Sequence, residues 1–177
     1  EVLSQLASDA EEAKEILRGE RFYDIDKLEW ATNTLHQTMA HISLGYYPAQ
    51  ICFPPIETDL TYKPFMSSEI LEALDDDQIN VYRDVYRQLI APVLKKEKPG
   101  MVGISIVQQK QIIPTFTFSK MIKEQFPNVH ITIGGNIVTR IREELKTQDK
   151  LFGYIDSAIL YEGENAYLQL VDAVENS

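Results

Sequence analysis

Met101-Val102-Gly103-Ile104-Ser105-Ile106-Val107 is a short apolar stretch of strand length that opens the C-terminal part of the chain. Two further apolar stretches, at residues 129–134 and 155–161, follow it, and each of the three precedes a segment with helical spacing of apolar residues. Strands that alternate with helices form parallel sheets with right-handed crossovers. The sequence therefore predicts that these three stretches are adjacent, parallel strands.

The N-terminal part of the chain has the apolar spacing of two helices. They are predicted over residues 2–18 and about 27–43, and Asp24 or Asp26 is suited to cap the second one. Their apolar stripes need a partner, and the sequence offers no obvious second core. We therefore expect a helical pair packed on or beside the sheet, not a separate domain.

An aromatic, proline-rich segment over residues 45–66 links this pair to the rest of the chain, with one short strand predicted at Gln50–Phe53. Ser67 or Ser68 is predicted to cap a short helix. A long helix is expected next, over about residues 78–96.

The fold predicted from this order is α/β. A Rossmann-like or flavodoxin-like parallel sheet is flanked by helices and carries an N-terminal helical extension. The helices of the C-terminal part are expected near residues 111–126, 138–147 and 164–175. The predicted division places the helical extension and the aromatic segment in residues 1–98, and the α/β core in residues 99–177.

Composition restricts the classes of function. The chain has 177 residues, 44% of them hydrophobic, and a net charge of -10, which disfavours nucleic acid as a partner. Cys52 is the single cysteine, so the chain has no internal disulfide and no cysteine-only zinc or iron–sulfur site. No apolar run reaches the length of a membrane span, and a cytoplasmic location is expected. Because the chain begins with Glu1, we expect it to be a piece of a longer protein.

Candidate binding residues follow the predicted strands. In such sheets ligands bind beyond the carboxyl ends of the strands. Ser105, Gly134-Gly135 and Glu162-Gly163-Glu164 lie at or just past these ends, and Gln109 lies in the polar loop after the first strand. Glycine allows close backbone approach to a ligand, although paired glycines also suit a simple tight turn, and acids at a helix start are also stabilised by its dipole.

No catalytic constellation stands out. His36 and His41 are five residues apart on a predicted helix, which is not the spacing of a metal pair on one face, and His130 lies in a predicted strand. The chain has no Gly-rich phosphate loop with Lys-Ser/Thr and no G-x-G-x-x-G. This chain alone is therefore expected not to be catalytic.

The combined order and spacing of these segments resembles the N-terminal cobalamin-binding-type domain of radical SAM proteins. The resemblance covers residues 99–177 and, more loosely, Tyr62–Leu89. It rests on four motifs. The first is a Pro and an "hGhS" strand, in which h is an apolar residue, found here as Pro99–Ser105, and the second is the following helix, with Gln111, Pro114 and Lys123. The third is a "GG" turn at Ile131–Asn136, and the fourth is a closing "D…GEGE" element at Ile155–Glu164.

The resemblance implies a cofactor and a partner. The candidate cofactor of this chain is cobalamin, with Ser105 and Gly134-Gly135 around its nucleotide tail. The implied cofactor-binding residues are Ser105, Gln109, Gly134, Gly135, Glu162 and Gly163. A radical SAM catalytic domain, with its 4Fe-4S cluster and S-adenosylmethionine, would follow this chain in the parent enzyme.

The chain also departs from cobalamin-binding-type domains in two respects. Its sequence lacks the D-x-H-x-x-G motif whose His ligates cobalt. The usual first strand is not evident, so it either precedes Glu1 or is replaced by Gln50–Phe53. A Gly135→Val substitution is expected to block the tail while leaving the fold intact.

Two other functions remain open. The domain could be a degenerate scaffold or substrate-recognition module that binds no cofactor, using the aromatic segment 46–65. It could also be a free-standing flavodoxin-like domain. A closely spaced cysteine triad encoded downstream of Ser177 would favour the radical SAM readings, and a stop codon there would favour the free-standing domain.

Overall fold

The computed structural model describes residues 2–53 and 57–176. The chain divides into two compact units, one ending at Thr61 and the other beginning at Tyr62.

The first unit is built on two helices. Helix α1 spans Val2–Arg18, a 3-10 turn spans Glu20–Tyr23, and helix α2 spans Ile25–Gly45. The carboxylate of Asp24 caps α2 by accepting hydrogen bonds from the Asp26 and Lys27 amides, at 3.1 and 3.2 Å. Both predicted helices are therefore confirmed, together with the Asp24 cap.

This helical pair has a small core of its own. The buried side chains on its facing sides are small or medium-sized, namely Ala10, Ala13, Ile16, Ala31 and Leu35, with Leu17 and Phe53 packed against them. The expectation that the N-terminal part lacks a second core was therefore wrong, because alanines at helical spacing let the helices pack closely without large side chains.

Two short strands complete the first unit. Strand β1 at Gln50–Cys52 pairs antiparallel with strand β2 at Glu57–Asp59. The short strand predicted at Gln50–Phe53 is thus confirmed. It lies in a sheet of two strands, however, and does not replace a strand of the parallel sheet.

The second unit begins with helices. Helix α3 spans Ser67–Asp75, and its cap position holds Met66 without a side-chain cap, so the predicted serine cap was wrong. A continuous helical segment follows as α4 at Val81–Val85, a π-helical turn at Tyr86–Ile90 and α5 at Ala91–Glu97. The π turn comes just before Pro92, which lacks the N–H needed for a regular helical bond and crowds the preceding turn. This proline explains why the predicted long helix is not regular.

The parallel sheet has three strands. They are β3 at Met101–Ser105, β4 at His130–Gly134 and β5 at Ser157–Ala158, in that spatial order, and both pairings are parallel. The predicted adjacency and direction of the three strands are confirmed. Strand β5 is shorter than predicted, although the Asp156 and Ile159 amides still bond to the Ile131 and Ile133 carbonyls, each at 2.8 Å.

The remaining helices alternate with these strands. Helix α6 spans Ile112–Gln125 after β3, and its third residue is Pro114, as predicted for a first turn. Between β4 and β5 the single predicted helix is replaced by three short ones, α7 at Asn136–Arg140, α8 at Arg142–Leu145 and α9 at Asp149–Phe152. Helix α10 spans Glu164–Glu175 after β5.

The second unit is therefore a Rossmann-like or flavodoxin-like arrangement, a parallel sheet flanked by helices. The predicted boundary at residue 98 differs from the observed one after Thr61, because α3 and α4 pack against α6 and so belong with the sheet. Over the described residues, none of the helices combines the length and apolar character needed to cross a membrane. The expected packing of the N-terminal helical pair on the sheet stays a prediction.

Candidate functional site

A cavity of about 540 Å³ lies at the carboxyl ends of the three parallel strands. We call it the strand-end hollow. Its lining comes from β3, β4, the loop after β5 and the start of α10, and consists of Gly103, Ile104, Ser105, Thr132, Ile133, Gly134, Gly135, Ile159, Tyr161, Gly163, Glu164, Tyr167 and Leu168.

The strand register explains why these residues meet. Gly103 pairs with Thr132, and Ser105 pairs with Gly134. Residues opposite each other in adjacent strands share a face of the sheet, and alternate residues along a strand also share it. These four residues therefore present one continuous face, and two of them are glycines that place no side chain above the sheet.

The structure brings together four of the six predicted binding residues. Ser105, Gly134, Gly135 and Gly163 all line the strand-end hollow, whereas Gln109 and Glu162 do not. Glu162 is exposed in the loop before α10, and Glu164 lines the hollow in its place.

The polar loop after β3 has a structural role. Gln109 opens the 3-10 turn Gln109–Gln111. The side chain of Gln111 accepts hydrogen bonds from the amides of Val107 and Gln108, at 2.8 and 3.0 Å. This loop is therefore fixed by Gln111, one of the residues on which the resemblance rests.

Gly135 supports the fold itself. Its φ is +100°, and an added Cβ atom would lie 2.6 Å from the Ile106 carbonyl oxygen. That carbonyl accepts a hydrogen bond from the Ile137 amide at 3.2 Å. The expectation that Gly135→Val leaves the fold intact was therefore wrong, because a side chain there would meet the backbone of Ile106, just after β3, and not open space.

Gly103 makes room for an aromatic ring. A Cβ atom at Gly103 would lie 3.0 Å from Cε2 of Tyr167 and 3.3 Å from its hydroxyl oxygen. The close packing that a mid-strand glycine indicates is thus with Tyr167, on the first turns of α10. Sequence reasoning did not single out Tyr167, although the helical spacing that predicts α10 places it one turn after Gly163.

Thr132 is the second lining residue that sequence reasoning missed. Its side chain is only 2% exposed, and among the described residues its hydroxyl has no hydrogen-bond partner. Most buried hydroxyls in folded proteins are paired. A buried, unpaired hydroxyl in the wall of a cavity is therefore a group that a ligand could engage.

The loop at the mouth of the hollow holds a strained residue. Tyr161 has a φ of 63°, which is unusual for a bulky side chain. Its amide donates a hydrogen bond to the Thr139 hydroxyl at 2.9 Å, and that hydroxyl donates to the Gly135 carbonyl at 3.4 Å. The ring of Tyr161 stays 67% exposed, so it forms part of the rim.

The hollow is mildly acidic. Glu164 is the one charged side chain in its described lining, and no lysine, arginine or histidine is present there. Glu164 also lies in the first turn of α10, where it offsets the positive helix end. The hollow therefore suits a neutral or weakly polar group, contacted by backbone and hydroxyl groups.

A partly exposed ion pair lies at the opposite end of the strands. The ammonium of Lys123 on α6 is 2.6 Å from a carboxylate oxygen of Asp156, which also accepts a hydrogen bond from the Ile131 amide at 2.6 Å. Partial burial raises the pKa of Asp156, but the Ile131 amide and the Lys123 ammonium outweigh this and lower the pKa below its usual value. Both residues belong to the resemblance, and here they join helix to sheet.

The histidines and the cysteine do not form a metal centre. Within residues 2–53 and 57–176, no three His, Cys, Asp or Glu side chains are grouped to hold a metal ion. Nδ1 of His36 lies 2.7 Å from the Phe53 carbonyl, Nδ1 of His41 lies 2.7 Å from the Gln37 carbonyl, and Nε2 of His130 lies 2.9 Å from the Ser157 hydroxyl.

Comparisons of this chain with family models, with curated proteins and with solved structures gave no significant match.

Proposed function

We propose that residues 62–177 form an accessory cofactor-binding domain of the cobalamin-binding type, acting in a cytoplasmic radical SAM enzyme. The observation that carries the proposal is the convergence of Ser105, Gly134, Gly135 and Gly163 on one cavity. These residues come from three separate motifs of the resemblance. The catalytic partner would be a radical SAM domain C-terminal to this chain, which would hold the 4Fe-4S cluster and S-adenosylmethionine.

The strand-end hollow would take the uncharged base end of the cobalamin tail, because its described lining offers no lysine, arginine or histidine to a phosphate. Gly103 and Gly134 both line the hollow without a side chain, but the ring of Tyr167 lies over Gly103 in the free chain, so a ligand would approach the sheet there only after that ring moves. The Ser105 side chain is exposed there, whereas the Thr132 hydroxyl is buried and would reach ligand atoms only after its surroundings rearrange. Bound cobalamin would supply its corrin-held cobalt for the chemistry of the parent enzyme.

Cobalt itself would have no protein ligand in this site. The described lining contains no histidine, and the sequence lacks the D-x-H-x-x-G motif. Cobalamin would therefore be held by its tail and corrin edge, through Ser105, Thr132 and the glycine backbone.

The test is a titration of the purified chain with hydroxocobalamin, followed by visible spectra. Ser105 is exposed and faces the hollow, so Ser105→Leu fills the site without burying a new polar group. We expect saturable binding that Ser105→Leu weakens at least about tenfold, which is about 1.4 kcal/mol.

The matched control is Ser8→Leu, which makes the same change at an exposed position on α1. Its affinity should stay within about twofold of the wild-type value. The absence of saturable binding to the wild-type chain, or equal weakening by both variants, would contradict a cobalamin site in the hollow.

The second candidate function is a scaffold module of the same parent enzyme that binds no cofactor. One observation favours it. The ring of Tyr167 already lies over Gly103, within the space that a ligand would use. The titration discriminates the two functions, because a scaffold module would give no spectral change at any concentration of hydroxocobalamin.

A further inference from the structure

We propose that the ring of Tyr167 covers the sheet surface at Gly103 inside the strand-end hollow, so that a ligand reaches Gly103 and Thr132 only when the ring moves outward. This inference rests on the proposed function in one respect, because it takes the hollow to be a ligand site. The closure itself is a property of the free chain and is tested without any ligand.

The first support is the fit between Tyr167 and Gly103. An added Cβ atom at Gly103 would lie 3.0 Å from Cε2 of the ring, so the ring rests on the glycine where any other residue would push it away. The space over Gly103 is therefore shaped to hold a ring of this size.

The second support is that Tyr167 can leave without unfolding its helix. The ring is 39% exposed, and none of the described side chains of α10 is buried. The Tyr167 amide is held in the helix by a hydrogen bond to the Gly163 carbonyl at 2.7 Å. Rotation about the side-chain bonds therefore moves the ring while the backbone stays in place.

The third support is the hydroxyl of Thr132. Thr132 is the cross-strand partner of Gly103 and shares its face of the sheet. Its hydroxyl is buried and unpaired among the described residues. An unpaired buried hydroxyl is unfavourable, so the closed arrangement has a cost that a polar ligand atom relieves once the ring has moved.

The ligand-free test measures how accessible position 132 is. A Thr132→Cys substitution, made with Cys52→Ser because Cys52 is exposed, places one thiol in the wall of the hollow. In the chain that keeps Tyr167, we expect this thiol to react slowly with a thiol reagent. Adding Tyr167→Ala should raise the rate at least about tenfold, whereas Tyr167→Phe should leave it within about twofold, because it keeps the ring.

A Leu170→Ala substitution on the same helix is the matched control, since Leu170 does not line the hollow. It should change the rate by less than about twofold. An equal rate with Tyr167 and with Tyr167→Ala, or an equal acceleration by Leu170→Ala, would overturn the closure by Tyr167.

A second measurement needs no substitution at the buried residue Thr132. In the free wild-type protein, nuclear Overhauser spectra should show contact between the Tyr167 ring protons and the Hα protons of Gly103. Lack of that contact would overturn the proposal whatever the thiol variants do.

The ligand arm uses hydroxocobalamin and separates the two proposals. With closure established, Tyr167→Ala should bind hydroxocobalamin at least about threefold faster than the wild-type chain. If Tyr167→Ala speeds thiol labelling at position 132 but neither chain binds hydroxocobalamin, the closure by Tyr167 is supported and cobalamin is rejected as the ligand. If hydroxocobalamin binds at the same rate to the wild-type chain and to Tyr167→Ala, cobalamin binding is supported, and the control of ligand entry by Tyr167 is rejected.

Discussion

Gly135 lies directly against the backbone of Ile106, and the two residues join the ends of β3 and β4. An added Cβ atom at Gly135 would be 2.6 Å from the Ile106 carbonyl oxygen and 3.0 Å from its amide nitrogen. The Ile106 amide in turn donates a hydrogen bond to the Gly134 carbonyl at 2.8 Å. The turn after β4, which forms one wall of the strand-end hollow, therefore depends on glycine at position 135.

Substitution of Gly135 should destabilise the second unit. Gly135→Ala combines an unfavourable positive φ with a backbone clash, and we expect a loss of about 3 kcal/mol in the free energy of unfolding. Gly134→Ala is the neighbouring control, because a Cβ atom there would lie 3.5 Å from the nearest atom, an ordinary contact. Urea denaturation followed by circular dichroism measures both, and equal stability of the two variants would contradict the role of Gly135.

The Lys123–Asp156 pair should contribute stability that depends on pH. Asp156→Asn removes the charge that Lys123 contacts at 2.6 Å. We expect a loss of about 1 to 2 kcal/mol at neutral pH, kept small because the carboxylate is partly exposed.

The sign follows from the pKa of Asp156, which is lower in the folded chain. The contribution is therefore present above the unfolded pKa of about 4 and disappears as the pH falls through the folded pKa. Urea denaturation at several pH values should show the variant and the wild-type chain converging in acid. Asp172→Asn, at an exposed position of α10, should show no such difference at neutral pH.

Asn80 should be required for the packing of α3 and α4 on α6. Its side chain is 1% exposed and donates hydrogen bonds to the Ala73 carbonyl at 2.7 Å and to the Thr117 hydroxyl at 2.9 Å. Asn80→Ala leaves these buried groups without this donor, so we expect a loss of about 2 to 4 kcal/mol. Thermal unfolding measures the effect against Asn165→Ala, an exposed control that should change stability by less than about 0.5 kcal/mol.

Tyr62 should make the second unit sensitive to alkaline pH. Partial burial, the hydrogen bond that Tyr62 donates to Asp76 at 2.7 Å and the nearby carboxylates raise the pKa of Tyr62 to about 12. Because the folded pKa is higher than the unfolded value of about 10, the stabilisation is full below pH 10 and is lost as the pH rises towards 12.

The expected result is that the free energy of unfolding falls less steeply with pH in Tyr62→Phe than in the wild-type chain. The comparison covers the alkaline range above pH 10. Tyr23→Phe is the control, since Tyr23 is 87% exposed. The same slope in Tyr62→Phe and in the wild-type chain would contradict the role of the Tyr62 hydroxyl.

Three aspartates in a row show what a sequence pattern leaves undecided. Asp75-Asp76-Asp77 lies between the short helix predicted after Ser67 or Ser68 and the long helix predicted over about residues 78–96. In the structure each has a different partner: Asp75 pairs with Lys120, Asp76 with Tyr62, and Asp77 with Arg83 and Arg87. Helix α3 ends at this acidic run, but the partners of its three carboxylates lie between 6 and 45 residues away along the chain, and the run itself does not specify them.

The sequence by itself determined the type and order of most elements. Local apolar spacing, helix caps and prolines act over a few residues, and they correctly predicted α1, α2, α6, α10 and the three parallel strands. The carboxyl ends of parallel strands must share one edge, so the meeting of Ser105 with Gly134 and Gly135 also followed from the sequence.

Only the tertiary structure decided what surrounds those residues. Three features depend on the strand register and on the way α10 packs beside the sheet. They are the contact of Tyr167 with Gly103, the unpaired hydroxyl of Thr132 and the clash that makes glycine necessary at position 135. These are contacts between residues far apart in the chain, and a local pattern does not specify the distances between them. The edge where the site lies was therefore set by the sequence, whereas the shape and access of the strand-end hollow were set by packing.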